Sequence, residues 1–471
     1  MVDQPVSLMW FRDDLRVADN PALVSAMDAG PTIAVYLLDE QSPGIRPLGG
    51  AAKWWLHHAL EDLRKNLATL GIELILRRGT ATRQIPELVE LAGASSLHWN
   101  RRYGGPERSA DSIVMERVRA TGAEVHSHAG FLLHEPWVPV TQESKPYRVF
   151  TPFYNALQRL PLREPVPTPE PQQSLGSLGL HSDSLADWSL LPSRPDWSQG
   201  LAAVWNPGED DAQERLKLVL DEIAGDYLDA RDRPDIDGTS RLSAALRWGH
   251  LSPGQVWRAL SMTISKHPQR GTGAQSIMRQ LAWRDFCWNL LYHQPDLATT
   301  NLRPEYDDFD WSWPKDSDSG EDHDDLIRQY FIAWSTGETG YGMVDAGMKQ
   351  LWDTGWMHNR VRMVTASFLI KNLGIHWRVG EEWFWDTLVD ADAASNPANW
   401  QWVAGCGADA SPFFRVFNPE LQAKKFDPRG TYVTRFAPLS APQPIVDLKS
   451  SRAAALESYA EMKDRGTAPE R

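Results

Sequence analysis

Residues 6–39 read VSLMWFRDDLRVADNPALVSAMDAGPTIAVYLLD, and this stretch decides the fold of the first part of the chain. It contains an apolar run of strand length, an amphipathic segment that begins at an Asn-Pro pair, and a second apolar run. Parallel strands that are joined by helices produce this alternation. The stretch therefore predicts two parallel strands with a helix between them.

The alternation continues as far as AEVHSH, through apolar runs such as IELILRRG and SLHWN that amphipathic segments separate. It predicts a doubly wound α/β domain, a parallel sheet with helices on both faces, over residues 1–135. The glycine fingerprint GxGxxG does not follow the first apolar run, because WFRDDLRVADNP stands there. The dinucleotide ligand that this fingerprint indicates therefore cannot be assumed.

Composition divides the rest of the chain. Residues 136–210 are rich in proline, serine, glycine and acidic residues, as in LPLREPVPTPEPQQSLGSLGLHSDSL, and we interpret them as an interdomain linker. Residues 211–471 carry apolar residues three and four positions apart, as in QSIMRQLAWRDFCWNLLYH, and this spacing predicts an all-α domain. The acidic run KDSDSGEDHDD, residues 315–325, is interpreted as a solvated loop.

The composition also excludes several classes of protein. The net charge of −14 argues against binding nucleic acid over the whole surface, although one basic face is compatible with it. Two cysteines, Cys287 and Cys406, are too few for a disulfide framework or a cysteine-ligated zinc or iron–sulfur site, so we expect no metal. No apolar run approaches the roughly 20 residues that cross a bilayer, so we expect a cytoplasmic protein without membrane contact. Nothing in the sequence suggests an obligate protein partner, and we expect a monomer.

Two polar motifs in the predicted helical domain are candidates for chemistry. TSRLS, residues 239–243, places hydroxyls at the start of a helix, where backbone N–H groups can bind an anion, although a plain helix cap has the same pattern. DADAASNPANWQW, residues 390–402, combines carboxylates, an asparagine and two indoles. Its aspartates could also be helix caps. The chain holds 22 tryptophans, more than core packing requires, which suggests that some are used as indoles.

Several segments, in order along nearly the whole chain, resemble the photolyase/cryptochrome family, and bacterial cyclobutane pyrimidine dimer photolyases most closely. They are MWFRDDLRVADNPAL, KPYRVFTPF, GTSRLSAALRWGHLSP, LAWRDF, TGYGMVDAGMKQLWDTGWMHNRVRMVTASFLIK, DADAASNPANWQW and FRVFNP. The resemblance implies an α/β domain followed by a helical domain that binds FAD. It also implies repair of pyrimidine dimers in UV-damaged DNA by an electron from reduced, light-excited FAD, with no net redox change.

The resemblance assigns roles to residues of the predicted helical domain. The residues that match flavin-contacting positions are Tyr227, Thr239, Ser240, Arg241, Leu242, Ser243, Asp390, Ala391, Asp392 and Asn396, with Arg362 as the cationic partner of the carboxylates. Trp400, Trp377 and Trp311 match the chain of tryptophans that relays electrons to the flavin, and Trp313 is a rival for the outer position. For any one of these tryptophans, core packing is the alternative.

The resemblance also assigns the residues that would contact the substrate. A dimer has to leave the DNA stack before an enzyme can act on it. Trp283 and Trp402 match positions that pack against the dimer, and Asn359 and Met363 match positions that touch its polar and methyl edges. Contacts to the DNA backbone are expected from Arg231, Arg360 and Gln422. An isolated exposed arginine could equally be a solvated surface group.

Two positions depart from the pattern of the family. Gln280 stands where enzymes that repair cyclobutane dimers usually carry a glutamate, and an amide can bind the dimer but cannot supply a proton. Animal-type (6-4) photolyases carry glutamine there, so (6-4) repair is an alternative. Gly104 stands where folate-binding relatives have a glutamate, so the second, antenna chromophore is open between a folate, a deazaflavin, another flavin or none.

Two other functions compete with repair. A cryptochrome-type blue-light photoreceptor would share the flavin and the tryptophans, and Gln280 is compatible with it, whereas the short segment after FRVFNP favours repair. An electron-transfer or nucleotide-binding α/β protein outside the family is the third hypothesis, and WMHNR and NWQW argue against it. A preference for irradiated over plain DNA, weakening as salt rises, separates a repair enzyme from a pure photoreceptor.

Overall fold

The protein is described by a computed structural model, which covers residues 5–314, 322–437 and 443–467. The described residues form two compact units. The first unit is drawn from Met1–Tyr147, Pro152–Gly225 and Ser240–Pro295, and the second from Arg148–Thr151, Asp226–Thr239 and Asp296–Arg471. The division into domains at residues 135 and 210 stays a prediction.

A five-stranded parallel sheet forms the base of the first unit. Its strands are β1 (Val6–Phe11), β2 (Thr32–Leu38), β3 (Leu74–Arg78), β4 (Ala94–Asn100) and β5 (Glu124–His128), in the order β3-β2-β1-β4-β5. The helices between them are α1 (Pro21–Ala29), α2 (Gly50–Thr69), α3 (Ala81–Ala92) and α4 (Gly105–Ala120). The predicted α/β fold is confirmed.

The residues of the opening stretch explain this arrangement. Leu8 of β1 lies in register with Ile33 of β2 and Leu97 of β4, and all three side chains are fully buried. The intervening helix α1 begins where expected, because the Asn20 side chain accepts a hydrogen bond from the Leu23 amide and Pro21 occupies the first turn.

Part of the segment predicted as a linker packs on the sheet within the first unit. Gln172 exchanges hydrogen bonds with the backbone of Thr32, at 2.8 and 2.7 Å. The Asp183 amide donates to the Leu76 carbonyl at 2.8 Å, and the Leu76 amide donates to the Ser182 hydroxyl at 3.0 Å. The two bonds to Leu76 satisfy backbone groups of the edge strand β3 that would otherwise face water or another chain.

The described part of residues 211–471 is helical, as predicted, and helices also occur within residues 136–210, which were predicted as a linker. The helices are α5 (Phe150–Leu157), α6 (Gln199–Val204), α7 (Glu209–Leu218), α8 (Ala224–Ala230), α9 (Ser243–Arg247), α10 (Pro253–Lys266), α11 (Gly271–His293), α12 (Asp322–Thr336), α13 (Gly342–Thr354), α14 (Asn359–Ser367), α15 (Trp377–Thr387), α16 (Ser395–Ala404), α17 (Pro419–Phe426), α18 (Thr431–Phe436) and α19 (Leu448–Thr467). Within the described ranges, no helix has both the length and the apolar character that crossing a bilayer requires.

The loop prediction for the acidic run, residues 315–325, can be compared with the structure only in part. Residues 315–321 lie outside the described residues. Residues 322–325 form the first turn of α12, so the loop prediction was wrong for them. Asp324 and Asp325 are compatible with a helix there because acidic residues near the start of a helix interact favourably with the positive end of its dipole.

Three histidines lie side by side on β4 and β5. The imidazole of His98 stacks on that of His126, with ring centroids 4.7 Å apart, and on that of His128, at 5.9 Å. Burial, with the neighbouring histidines, lowers the pKa of His98 to about 3. Burial, with Arg101 and His126, lowers the pKa of His128 to about 4. Both rings are therefore neutral in the folded protein near neutral pH.

These pKa shifts predict that acid destabilises the first unit. In the unfolded chain a histidine binds a proton near pH 6.5, whereas His98 and His128 do not do so until about pH 4 and below. The unfolded state therefore binds more protons between about pH 6.5 and 4, and stability falls as the pH drops through that window. We expect His98→Phe to flatten this fall, measured as the melting temperature at pH 7 and pH 5. The exposed His181→Phe serves as the control, and an equal fall in both variants would contradict the account.

Candidate functional site

An ion pair joins helix α14 to the loop before α16 in the second unit. Nη2 of Arg362 lies 2.8 Å from Oδ2 of Asp390, and Nε of Arg362 donates to the Met357 carbonyl at 2.8 Å. The side chain of Asp390 is only 2% exposed. The expectation that Arg362 is the cationic partner of these carboxylates is confirmed for Asp390. A carboxylate buried this deeply requires such a partner to stay charged.

Asp392 has a different position from Asp390. Its Oδ1 accepts hydrogen bonds from the amides of Ala394, at 2.8 Å, and Ser395, at 2.6 Å. These are the last residue before α16 and the first residue of that helix, so this oxygen caps it. The capping alternative therefore holds for one oxygen of Asp392. Ala391, between the two aspartates, is buried.

Asn396 is held by a residue that the sequence analysis missed. Its Nδ2 donates to the carbonyl of Glu381 at 3.0 Å and to Oε1 of the same residue at 2.8 Å. Both side chains are buried. Because the amide nitrogen is engaged in this way, Oδ1, a hydrogen-bond acceptor, is the atom that Asn396 can offer to a ligand.

A signal for Glu381 was present in the sequence. Trp377, Gly380, Glu381 and Phe384 follow the spacing of one helix face, and all four are buried on α15. A glutamate on an otherwise apolar face needs a polar partner inside the protein. The pattern could therefore have identified Glu381 as a candidate, though not Asn396 as its partner.

The three predicted relay tryptophans belong to the core of the second unit. Trp311, Trp377 and Trp400 are all buried within one hydrophobic cluster. Nε1 of Trp377 donates to Oδ1 of Asn301 at 2.8 Å. Gly380 allows the ring of Trp400 to approach α15, since a Cβ at this position would lie 2.1 Å from the ring.

The rings of Trp311 and Trp313 both pack against the ring of His376. The ring centroid of His376 is 4.9 Å from that of Trp311 and 4.2 Å from that of Trp313, and it is 5.5 Å from Trp377. Trp313 is 46% exposed, whereas Trp311 is buried. Trp311 therefore matches a relay through the core, and Trp313 matches a contact with solvent.

Trp334 is a further indole that the sequence analysis did not select. It is fully buried, and its Nε1 donates to the Thr365 carbonyl at 3.0 Å. Its ring lies 6.2 Å from Trp400, in a T-shaped arrangement. In a chain with so many tryptophans, the sequence alone does not indicate which of them contact one another.

The candidate substrate contacts of the second unit lie on neighbouring helices. Asn359 and Met363 are one turn apart on α14, and Asn359 is exposed at the first position of that helix. Helix α14 packs against α16, which carries the half-buried Trp402. The structure thus places an exposed amide, a thioether and an indole on two adjacent helices.

Both arginines predicted to bind the DNA backbone lie close to Asp232. Nη2 of Arg360 is 2.9 Å from Oδ1 of Asp232, and the Arg360 guanidinium lies over the ring of Phe426. Nε of Arg231 is 4.0 Å from the same Asp232 oxygen. A phosphate would have to compete with this carboxylate for both arginines. Gln422 lies on α17, and its Oε1 is buried without a hydrogen-bond partner among the described residues.

The predicted phosphate-binding segment starts in the second unit and continues into the first. Tyr227 and Thr239 belong to the second unit, where burial raises the pKa of the Tyr227 phenol and keeps it a hydrogen-bond donor. Ser240, Leu242 and Ser243 belong to the first and precede or begin the short helix α9, with the Ser240 carbonyl accepting from Nε of Arg215 at 2.8 Å.

Arg241 has a left-handed backbone, with φ of 52°, at the centre of this segment. Non-glycine residues rarely adopt this conformation, which costs on the order of 1 kcal/mol or more and is concentrated at ligand sites. Strain of this kind agrees with a binding role, and the Ser240 hydroxyl also accepts a hydrogen bond from the Leu242 amide at 3.5 Å, as in the capping alternative.

The two remaining candidates lie on α11 in the first unit. Gln280 and Trp283 are both partly exposed, and they are three positions apart, so they share a face of the helix. The Trp283 ring packs edge-on against Phe286, with centroids 5.6 Å apart. The arrangement presents an amide and an indole together.

Comparison with known protein families finds two matching family models. One, described as DNA photolyase, matches residues 7–172. The other, described as the FAD binding domain of DNA photolyase, matches residues 277–441.

Individual proteins are similar over most of the chain. A deoxyribodipyrimidine photo-lyase from Agrobacterium fabrum is 46% identical over 92% of this chain and 86% of its own length. Cryptochrome-1 from Arabidopsis thaliana is 32% identical over 92% of this chain and 62% of its own. The crystal structure of a bacterial class III photolyase from Agrobacterium tumefaciens superposes with a TM-score of 0.89 and 42% identity, over 98% of this chain and 99% of that one.

The close approach of Trp400 to Gly380 gives a test of this core. We expect Gly380→Ala to destabilise the protein by about 1–3 kcal/mol, the usual cost of overpacking, although alanine favours helices over glycine. The matched control is Gly225→Ala in α8, where the nearest atom to a Cβ would be 4.0 Å away and no loss is expected. Urea unfolding measures both, and equal stability of the two variants would contradict the packing of Trp400 described here.

Proposed function

The chain belongs to the DNA photolyase family, and from that membership we propose that it repairs cyclobutane pyrimidine dimers in DNA with blue light, as a deoxyribodipyrimidine photo-lyase. One observation carries the proposal for this chain. The segment that resembles the flavin-contacting residues of the family has an ion pair, Arg362 with the buried Asp390, and a fixed buried amide, Asn396. Asn396 lies one turn before Trp400 on α16, and Trp400 shares a core cluster with the other two candidate relay tryptophans.

FAD, when bound, supplies the light-excited electron donor for splitting the dimer. The residues present fit such a group. Asn396 offers its side-chain oxygen to an N–H group of a ring, since its nitrogen is bound to Glu381. Arg362 can stabilise negative charge next to a ligand, and Asp390 keeps it in place.

The remaining candidate cofactor residues would bind the rest of the molecule. In this proposal, Tyr227, Thr239 and the segment Ser240–Ser243 contact the phosphates and the ribityl chain through hydroxyl groups and backbone amides. Asp392 and Ala391 contribute through the loop before α16, whose conformation the Asp392 cap maintains.

The proposed substrate contacts follow from the chemistry of a dimer. Trp283 and Trp402 provide apolar faces for its rings once it has left the DNA stack, and Met363 contacts its methyl groups. Asn359 and Gln280 bind its polar edges with their amides. Arg231, Arg360 and Gln422 contact the DNA backbone, and the two arginines exchange the Asp232 carboxylate for phosphate.

A blue-light photoreceptor is the second candidate, and two observations favour it. Cryptochrome-1 from Arabidopsis thaliana is similar over most of this chain, and Gln280 replaces the carboxyl that dimer repair usually employs. A photoreceptor would retain the flavin and the tryptophan relay but would not need to distinguish damaged from intact DNA.

The antenna chromophore of the first unit stays open between a folate, a deazaflavin, another flavin and none. Gly104 lacks the carboxylate by which folate-binding relatives contact their pterin. A Cβ at Gly104 would lie 2.1 Å from a carboxylate oxygen of Glu107, so a carboxylate does occupy that place. This observation keeps a folate among the candidates.

The proposal predicts light-dependent repair in which Gln280 takes part. We expect the reduced, FAD-loaded protein to restore intact thymines in an oligonucleotide with one cyclobutane dimer under blue light, and not in the dark. Gln280→Leu should lower the repair yield by about tenfold, the scale of one lost hydrogen bond to a charged species. Gln280→Glu should retain or raise it, because a carboxyl can also supply a proton.

The alternatives give different results in the same assay. Loss of a (6-4) lesion but not of the cyclobutane dimer would replace the proposed substrate. No repair of either lesion by a protein with bound FAD, together with equal affinity for irradiated and plain DNA, would favour the photoreceptor.

Trp311 shares a buried core cluster with Trp377, and we therefore assign the outer position of the relay to Trp311 and not to the exposed Trp313. We expect Trp311→Phe to slow the photoreduction of bound FAD by about tenfold or more, because phenylalanine is far harder to oxidise than an indole, and Trp313→Phe to change it little. Repair by chemically reduced protein should be unaffected in both variants and serves as the control. The opposite order of the two photoreduction rates would assign the outer position to Trp313.

A further inference from the structure

A pocket of about 450 Å³ opens on the first unit beside the start of α11. It is lined by Tyr154, Gln158, Ile264, Gln275, Ser276, Met278 and Arg279. None of these residues belongs to the proposed flavin, relay or substrate sets. Its volume lies within the range that small ligands or parts of larger ones occupy.

The lining has the chemistry of an anion site. Among the described residues that form it, one is cationic, four carry neutral amide or hydroxyl donors, and none is a carboxylate. The guanidinium of Arg279 lies over the ring of Tyr154, 5.3 Å from its centroid, which fixes the direction of the charge. A pocket without acidic residues is notable in a chain with a net charge of −14.

The position of Arg279 on α11 indicates which anion the pocket would bind. It directly precedes Gln280 and lies one turn before Trp283, so all three project from neighbouring positions of one helix. A group bound at Arg279 would therefore lie next to a dimer held by Gln280 and Trp283. The groups next to a dimer in DNA are phosphodiesters.

We propose that this pocket binds a backbone phosphate of damaged DNA, with Arg279 as the contact and Tyr154 as the residue that positions it. The inference rests on the proposed function, since it places the lesion at Gln280 and Trp283. It also adds a cationic contact to the one that Arg360, which is paired with Asp232, is proposed to make. A guanidinium suits this role because it matches the geometry of phosphate oxygens.

Equilibrium binding in the dark tests the role of Arg279. The probe is a fluorescent duplex with one thymine dimer, titrated at several salt concentrations. We expect Arg279→Ala to weaken binding by about tenfold and to lower the slope of log affinity against log salt by about one. Arg279→Lys should retain most of the slope, because it keeps the charge. Arg119→Ala, an exposed arginine on α4, is the matched control and should change neither quantity.

Two further variants separate the charge of Arg279 from its orientation. Tyr154→Phe keeps the ring under the guanidinium and should bind like the wild type. Tyr154→Leu removes the ring and should weaken binding by a smaller factor than Arg279→Ala, with an unchanged salt slope. Equal thermal stability and FAD content show that a variant is folded.

Neutral methylphosphonates identify the phosphate. One phosphate near the dimer is replaced at a time. We expect one replacement to weaken wild-type binding by about tenfold and to have no further effect on Arg279→Ala. Wild-type affinity and salt slope for Arg279→Ala, or equal effects of every replacement on both proteins, would overturn the inference. If the wild type does not prefer the dimer, the proposed function fails instead, and the salt slope on undamaged duplex still tests Arg279.

Discussion

The ion pair of Arg362 and the buried Asp390 is the interaction on which the candidate site depends. Removing Arg362 would leave the carboxylate of Asp390 charged inside the protein, at a cost of about 3–5 kcal/mol. The pair therefore holds α14 against the loop before α16. A backbone bond from the Val389 amide to the Gly355 carbonyl, at 2.9 Å, joins that loop to the loop before α14 and acts in the same direction. The ion pair and this backbone bond together set the positions of the candidate residues on α14 and α16.

Helix α15 connects the polar part of the site to the tryptophans. One face of it carries Trp377, Gly380 and Glu381, all buried. Glu381 orients Asn396, and Gly380 leaves space for Trp400. The ligand contacts and the electron relay are thus fixed by the same helix, and a change that shifts α15 would disturb both.

The sequence predicts those features that depend on local pattern. The alternation that begins at residue 6 predicted the parallel sheet, and the spacing of apolar residues predicted the helices around Trp283 and Met363. Family resemblance predicted the pairing of Arg362 with an aspartate. Features that depend on partners distant in sequence were missed. These include the hold of Glu381 on Asn396, the contact of Trp334 with Trp400, and the pairing of Arg360 with Asp232. A lone polar residue on a helix face shows that a partner is required but not which one.

The central claim is that this polar core binds FAD, and the amount of flavin bound by Asp390→Asn tests it most directly. The asparagine keeps the shape of the side chain and removes its charge, and Arg362, whose side chain is 25% exposed, can still reach water. The measurement is the FAD released per chain on denaturation, for wild type and variant, with folding checked by circular dichroism. The account predicts one FAD per wild-type chain and a clear loss in the folded variant. A wild-type protein without flavin, or a folded variant that retains all of it, would contradict the account.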